Sequence, residues 1–200
     1  IPVVLMGDAF SDRLIADGTY GDVMQRATDA LFSEEPYKSF RNCFDVSYVD
    51  VVSKNEVYGG ETALSTWYGD GTFVGGDNDK VFEYARKVLS DDEMDDALLI
   101  VMMNRDYYAG TCYMYSTSKE DYGRGPSVAY FPTSSVTGTF NGLVSHEAGG
   151  HGFAKLADEY AYLDYGAIPD DVKEDYQTMT LYGWWKNVDF TSDPAQVKWA

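Results

Sequence analysis

The chain has 200 residues, 44% hydrophobic and 24% charged, a balance that fits one folded domain with a full core and excludes a disordered chain. A formal net charge of −18 excludes the basic patches that hold nucleic acid or anionic membrane surfaces, and it reads as a solubility feature common in exported proteins. No apolar run approaches the ~20 residues of a membrane span, and Cys43 and Cys112 allow at most one disulfide.

Ile1-Pro2 leads directly into an apolar run at 3–6, without an initiator methionine or signal peptide, so the chain reads as a mature or trimmed fragment. That run, ended by Gly7-Asp8, predicts a buried strand. Met24, Ala27 and Leu31 at helical spacing predict a helix over 22–32, with Pro36 beyond its end. Residues 44–52, rich in β-branched and aromatic side chains, predict a second strand. A polar excursion over 53–76 is broken at Gly59-Gly60 and Gly75-Gly76, and a helix over 79–89 follows.

The continuously apolar run 97–103 predicts a central strand covered on both faces. Gly110 turns the chain into an edge strand over 111–117, and 127–131, closed by Pro132, makes the fifth strand. A helix beginning near Thr139 buries Phe140, Leu143, Val144 and Ala148. The acidic clusters Asp77-Asn78-Asp79 and Asp91-Asp92-Glu93 match no EF-hand pattern and suit helix N-termini. The order predicts an α/β fold: a mixed, mostly parallel five-stranded sheet with an antiparallel edge strand and an active-site helix. Residues 1–157 form the core, and 158–200 a loop-rich aromatic lobe that completes the site.

The chain's only histidines, His146 and His151, lie five positions apart, with Glu147 directly after the first. This is the His-Glu-x-x-His zinc hydrolase pattern with one residue too many. Imidazole nitrogens suit Zn²⁺, and the glutamate is placed to take a proton from a metal-activated water. In a regular α-helix, positions i and i+4 lie about 40° apart but i and i+5 about 140° apart. A π-type turn restores convergence, and Gly149-Gly150 is where the distortion is expected. Two glycines inside a helix otherwise cost about 1 kcal/mol each. Asp158 and Glu159 are the acidic candidates for a third ligand.

The tail Leu156-Ala157-Asp158-Glu159-Tyr160 after His-Glu-…-His resembles the IgA-peptidase family of bacterial zinc metallopeptidases, which are zincin-like. The opening Val4-Leu5-Met6-Gly7-Asp8-Ala9-Phe10 and the segment Asn187-Val188-Asp189-Phe190 are similar to other parts of that family. The insertion between the histidines departs from the family's standard form, and no methionine-containing turn follows within the chain. The resemblance implies a zinc-dependent endopeptidase, secreted, periplasmic or on the bacterial cell surface. Its substrate would be a protein or glycoprotein, with immunoglobulin A the one implied by the family name.

Under that reading His146, His151 and Asp158 are the metal ligands and Glu147 is the general base. Glu159 is the alternative third ligand, or else a carboxylate holding a ligand imidazole through its other nitrogen. Tyr160, in the family-like tail, has the best claim of seventeen tyrosines to assist the transition state. The 111–117 edge could take an extended peptide by β-augmentation. A second reading is a zinc-containing surface binding or adhesion module whose catalysis has decayed; an intact Glu147 argues against it.

Overall fold

Alternate residues of each central strand face opposite layers, and both layers are apolar. The computed structural model describes residues 1–57, 61–116, 123–160 and 168–199. Its strands are β1 (Pro2–Asp8), β2 (Asp45–Val49), β3 (Trp67–Tyr68), β4 (Val74–Gly75), β5 (Leu98–Met103), β6 (Thr111–Met114) and β7 (Ser127–Pro132). The main sheet has the order β2-β1-β5-β7-β6, and β3 and β4 pair as a separate short hairpin. Strands β2, β1, β5 and β7 are parallel, and β6 runs antiparallel to β7 at the edge, as the sequence pattern predicts.

Val3, Leu5, Leu98, Ile100, Met102, Ala129 and Phe131 face the first layer. There they meet α1 (Asp12–Ala16), α2 (Thr19–Leu31) and the helix that carries the histidines. Val4, Met6, Leu99, Val101, Val128 and Tyr130 face the second layer, built from α3 (Asn78–Ala85), α4 (Asp91–Met94) and the hairpin region. The all-buried pattern of β5 follows from this two-sided covering.

Both acidic clusters begin helices. Asp77 caps α3 by accepting the N–H of Lys80, and Ser90 with Glu93 forms a capping box at α4. The capping box also explains why the helix expected over 79–89 stops at Ala85: the chain tightens through turns and starts again at Ser90. Similarly, the second strand is shorter than expected. The edge strand itself ends at Met114, with one further bond from Tyr115 N–H to Pro126 O at 2.9 Å, while Thr117 and Gly59-Gly60 lie outside the described residues.

The 158–200 segment, expected to be loop-rich, holds one regular element among its described residues. Asp170–Leu181 forms α6, a 12-residue helix without a single buried residue, which is why no apolar stripe announced it.

Asp8, at the carboxyl end of β1, fastens the 53–76 excursion to the sheet. Its buried carboxylate accepts from the hydroxyls of Ser53, Thr62 and Thr66 at 3.0, 2.7 and 2.6 Å. It also accepts the N–H groups of Leu64 and Thr66 at 2.9 and 3.0 Å. Burial alone would raise its pKa, but these donors hold it below the ordinary carboxylate value. The hairpin thus fixed reaches β6: Gly110 N–H donates to Thr72 O at 3.2 Å, and Val74 N–H to Thr111 Oγ1 at 3.1 Å.

Candidate metal centre

Helix α5 (Thr137–Val144) passes without interruption into a π-helical segment, Ser145–Phe153. Ala154 N–H donates to Gly149 O at 3.0 Å, a bond to the fifth residue back. Such turns bring residues five apart onto one face, so His146 and His151 converge. Their rings lie edge to face with centroids 4.6 Å apart. The irregularity expected between residues 147 and 152 is therefore present, spread over nine residues rather than confined to one turn.

The glycines act differently from the expectation. Neither Gly149 nor Gly150 has a positive φ. Gly149 is needed for close approach: a Cβ there would stand 2.9 Å from the Tyr37 ring, whose hydroxyl donates to Gly149 O at 2.7 Å. A Cβ on Gly150 would meet nothing nearer than Ser145 O at 3.7 Å.

After the π segment Lys155, at φ +55°, reverses the chain. Its buried Nζ donates to Gly125 O and Gly152 O, each at 2.9 Å, and to Ser127 Oγ. This ties the end of the helix to β7 and returns Asp158 beneath the imidazoles. Asp158 Oδ1 lies 3.2 Å from His146 Nε2 and 3.1 Å from His151 Nε2, and the two Nε2 atoms are 3.1 Å apart. Donors bound tetrahedrally at 2.0–2.1 Å stand roughly 3.3 Å apart, so the donor set fits a first-row divalent ion. Among the described residues this is the only histidine, cysteine and carboxylate group so arranged.

Surrounding contacts fix how these donors point. His151 Nδ1 is 2.7 Å from Leu156 O; a carbonyl can only accept, so the proton sits on Nδ1 and the Nε2 lone pair faces the triad. Glu159 does not hold an imidazole: it turns away, and Oε1 accepts from Asn187 Nδ2 at 2.8 Å. The Leu156 carbonyl takes the role expected of it. His146 has its pKa lowered, first by burial and then by its neighbour His151.

Glu147 is 7% exposed. It sits against Gly110 at the start of β6, where a Cβ would come within 2.6 Å of Oε1. Burial, reinforced by Asp158 and opposed by His151, pushes its carboxyl up to about 7. The spacing of the motif pointed to His146, Glu147 and His151. Gly110, Tyr37, Lys155 and Asn187 carry no such signal, because their contacts join distant parts of the chain.

The cleft opens on both sides of Glu147. A space of about 630 Å³ extends past Met114 and Trp185, and another of about 590 Å³ past Tyr108 and Gly142. Tyr160 borders both, its ring stacked beside that of His146 at 6.2 Å.

A model of the IgA Peptidase M64 family matches residues 1–200. The chain belongs to the IgA peptidase M64 family. Membership makes it a metallopeptidase, a hydrolase that acts on protein substrates. In this M64 chain the His146–His151–Asp158 group is the arrangement that could bind the metal. No curated protein matches the chain. Among the described residues no helix is long and apolar enough to cross a membrane.

Proposed function

We propose that this M64 chain is a zinc-dependent endopeptidase with His146, His151 and Asp158 as metal ligands and Glu147 as general base. The observation that carries the reading is the triangle of three donor atoms, 3.1–3.2 Å on each side, next to a buried carboxylate. Zinc held there supplies Lewis acidity, which activates water and stabilises negative charge on a carbonyl oxygen.

The remaining steps belong to the chain's own groups. Glu147 takes a proton from the attacking water and passes it to the leaving amine. Burial keeps its proton affinity high, and a cation on the triad would draw its pKa back down. Tyr160 stands beside His146 as the candidate hydroxyl donor for the transition state.

The two-sided cleft supports cleavage within a chain, since space is available on either side of Glu147. Tyr115 N–H donates to Pro126 O, so the alternation of an antiparallel pair turns the N–H and C=O of Cys112 and Met114 outward. Both residues line the cleft, where an extended substrate could pair with them. Immunoglobulin A, carried in the family's name, is the first protein to test. The same reading puts the enzyme in the bacterial periplasm, at the cell surface or in the medium, consistent with its strong negative charge.

A decayed binding module would have no use for a carboxylate buried against Gly110 beside the triad, so that reading is disfavoured. The test is elemental analysis with a cleavage screen. Protein purified without chelator should hold one zinc per chain, and His146→Ala, His151→Ala and Asp158→Ala should each lose it. Wild type should produce internal cuts in intact proteins, scored by mass spectrometry, and Glu147→Gln should bind zinc without cutting. Absence of zinc after zinc addition, or full cleavage by Glu147→Gln, would overturn the proposal.

A further inference from the structure

Asn187 is the residue that links the C-terminal segment to the ligand loop. Its amide offers one acceptor and two N–H donors, and all three are used. Oδ1 accepts the N–H of Ala157 at 2.9 Å, and Nδ2 donates to Ala157 O and to Glu159 Oε1, each at 2.8 Å. The double bond pattern to Ala157 is that of a neighbouring strand residue, made here by a side chain. Trp185 N–H adds a backbone link to Lys155 O at 2.7 Å.

Asp158 lies between the two residues that Asn187 grips. With the Ala157 peptide groups held on one side and the Glu159 side chain on the other, the direction of the Asp158 side chain is largely decided. Glu159 serves this arrangement indirectly: a carboxylate can only accept, so it requires the nitrogen of Asn187 to face it. The oxygen is then left to face the Ala157 N–H.

We propose that Asn187 is a positioning residue, which clamps residues 157–159 so that Asp158 faces His146 and His151 before any metal arrives. This rests on the reading of the triad as the metal centre. It also gives a reason for Glu159 that neither direct ligation nor contact with an imidazole supplies.

Asn187→Asp is close to isosteric but removes both donors and sets a carboxylate against the Ala157 carbonyl and Glu159. Zinc affinity, measured by competition, should fall roughly 10–100-fold, as for other changes to groups that orient ligands. The visible spectrum of the cobalt(II) form should change with it. Adding Glu159→Gln to Asn187→Asp restores one donor across the gap and should recover part of the loss, which general damage to the fold would not allow. Affinity and spectrum unchanged in Asn187→Asp, or no recovery in the double variant, would overturn the clamp.

A second measurement covers a variant that fails to fold. In wild-type protein stripped of metal, the Ala157 amide should exchange slowly with deuterium; fast exchange would show the loop is not preset and would also overturn the clamp. A wild-type chain that takes up neither ion would overturn the metal-centre reading instead, and the exchange rate would still decide the clamp.

Discussion

Tyr37 donates its hydroxyl to the carbonyl of Gly149 at 2.7 Å while its ring covers the place a Gly149 side chain would occupy. Tyr37, in the connection between α2 and β2, thus braces the middle of the π segment. Gly149→Ala must push the ring away, and overpacking of this kind costs about 1–3 kcal/mol. We expect a lower thermal midpoint and weaker zinc binding. Gly150→Ala meets only Ser145 O, at an ordinary contact distance of 3.7 Å, and should leave both close to wild type. Equal damage from the two substitutions, in parallel melts and zinc titrations, would contradict this account.

Glu147 should make the stability of the metal-free protein depend on pH. Its carboxyl is raised from 4.5 to about 7 on folding, so the folded chain binds the proton more tightly than the unfolded chain. Its contribution to stability is full below pH 4.5 and is lost as pH rises through 7, by on the order of 3 kcal/mol. Glu147→Gln should lack this slope and be the more stable protein at pH 8. Urea denaturation at several pH values measures it, and superimposable curves would refute it.

Gly138 and Gly142 lie one turn apart on α5 and border the cleft beside Glu147. A Cβ on either would meet nothing within 4 Å, and neither has a positive φ, so the fold does not require glycine there. Gly142→Ala should raise stability by about 1 kcal/mol through helix propensity. If substrate packs against this bare face, the same substitution should raise KM. A stabilised variant with unchanged KM would detach the glycine from substrate binding.

Asp8→Asn replaces an acceptor surrounded by five donors with a group that must present its own N–H groups to some of them. A loss of about 2–4 kcal/mol is expected, since buried donors are left without partners. Because the hairpin reaches Gly110 and Thr111, cleavage should weaken even at temperatures where the variant is folded. Thermal melts with activity assays below the midpoint test both parts.

The sheet could be read from sequence because its strands are buried on two faces and written in unbroken apolar runs, 97–103 most clearly. The histidine pair of the candidate metal centre could be read because the chain has no other histidines. Helix α6 could not, since its residues are exposed or half-buried and its N-cap, Pro169, makes no capping bond. Asn187 was visible as part of a family-like segment but not as a clamp, because a side chain that pairs with a peptide group 30 residues away leaves no periodic trace. The role of Gly149 was anticipated at the right place for the wrong reason: space, not backbone freedom, excludes a side chain.

A π segment is what an α-helix becomes when one residue enters it and both flanks keep their places. Here Phe140 and Val144 stay buried upstream, and Lys155 stays anchored under β7 downstream. Loss of the Gly150 codon would therefore leave His-Glu-x-x-His on an ordinary helix without dragging either flank out of position. The inserted and uninserted forms of the motif stand a single codon apart, and a lineage can pass between them without rebuilding the sheet, the cleft or the loop that carries Asp158.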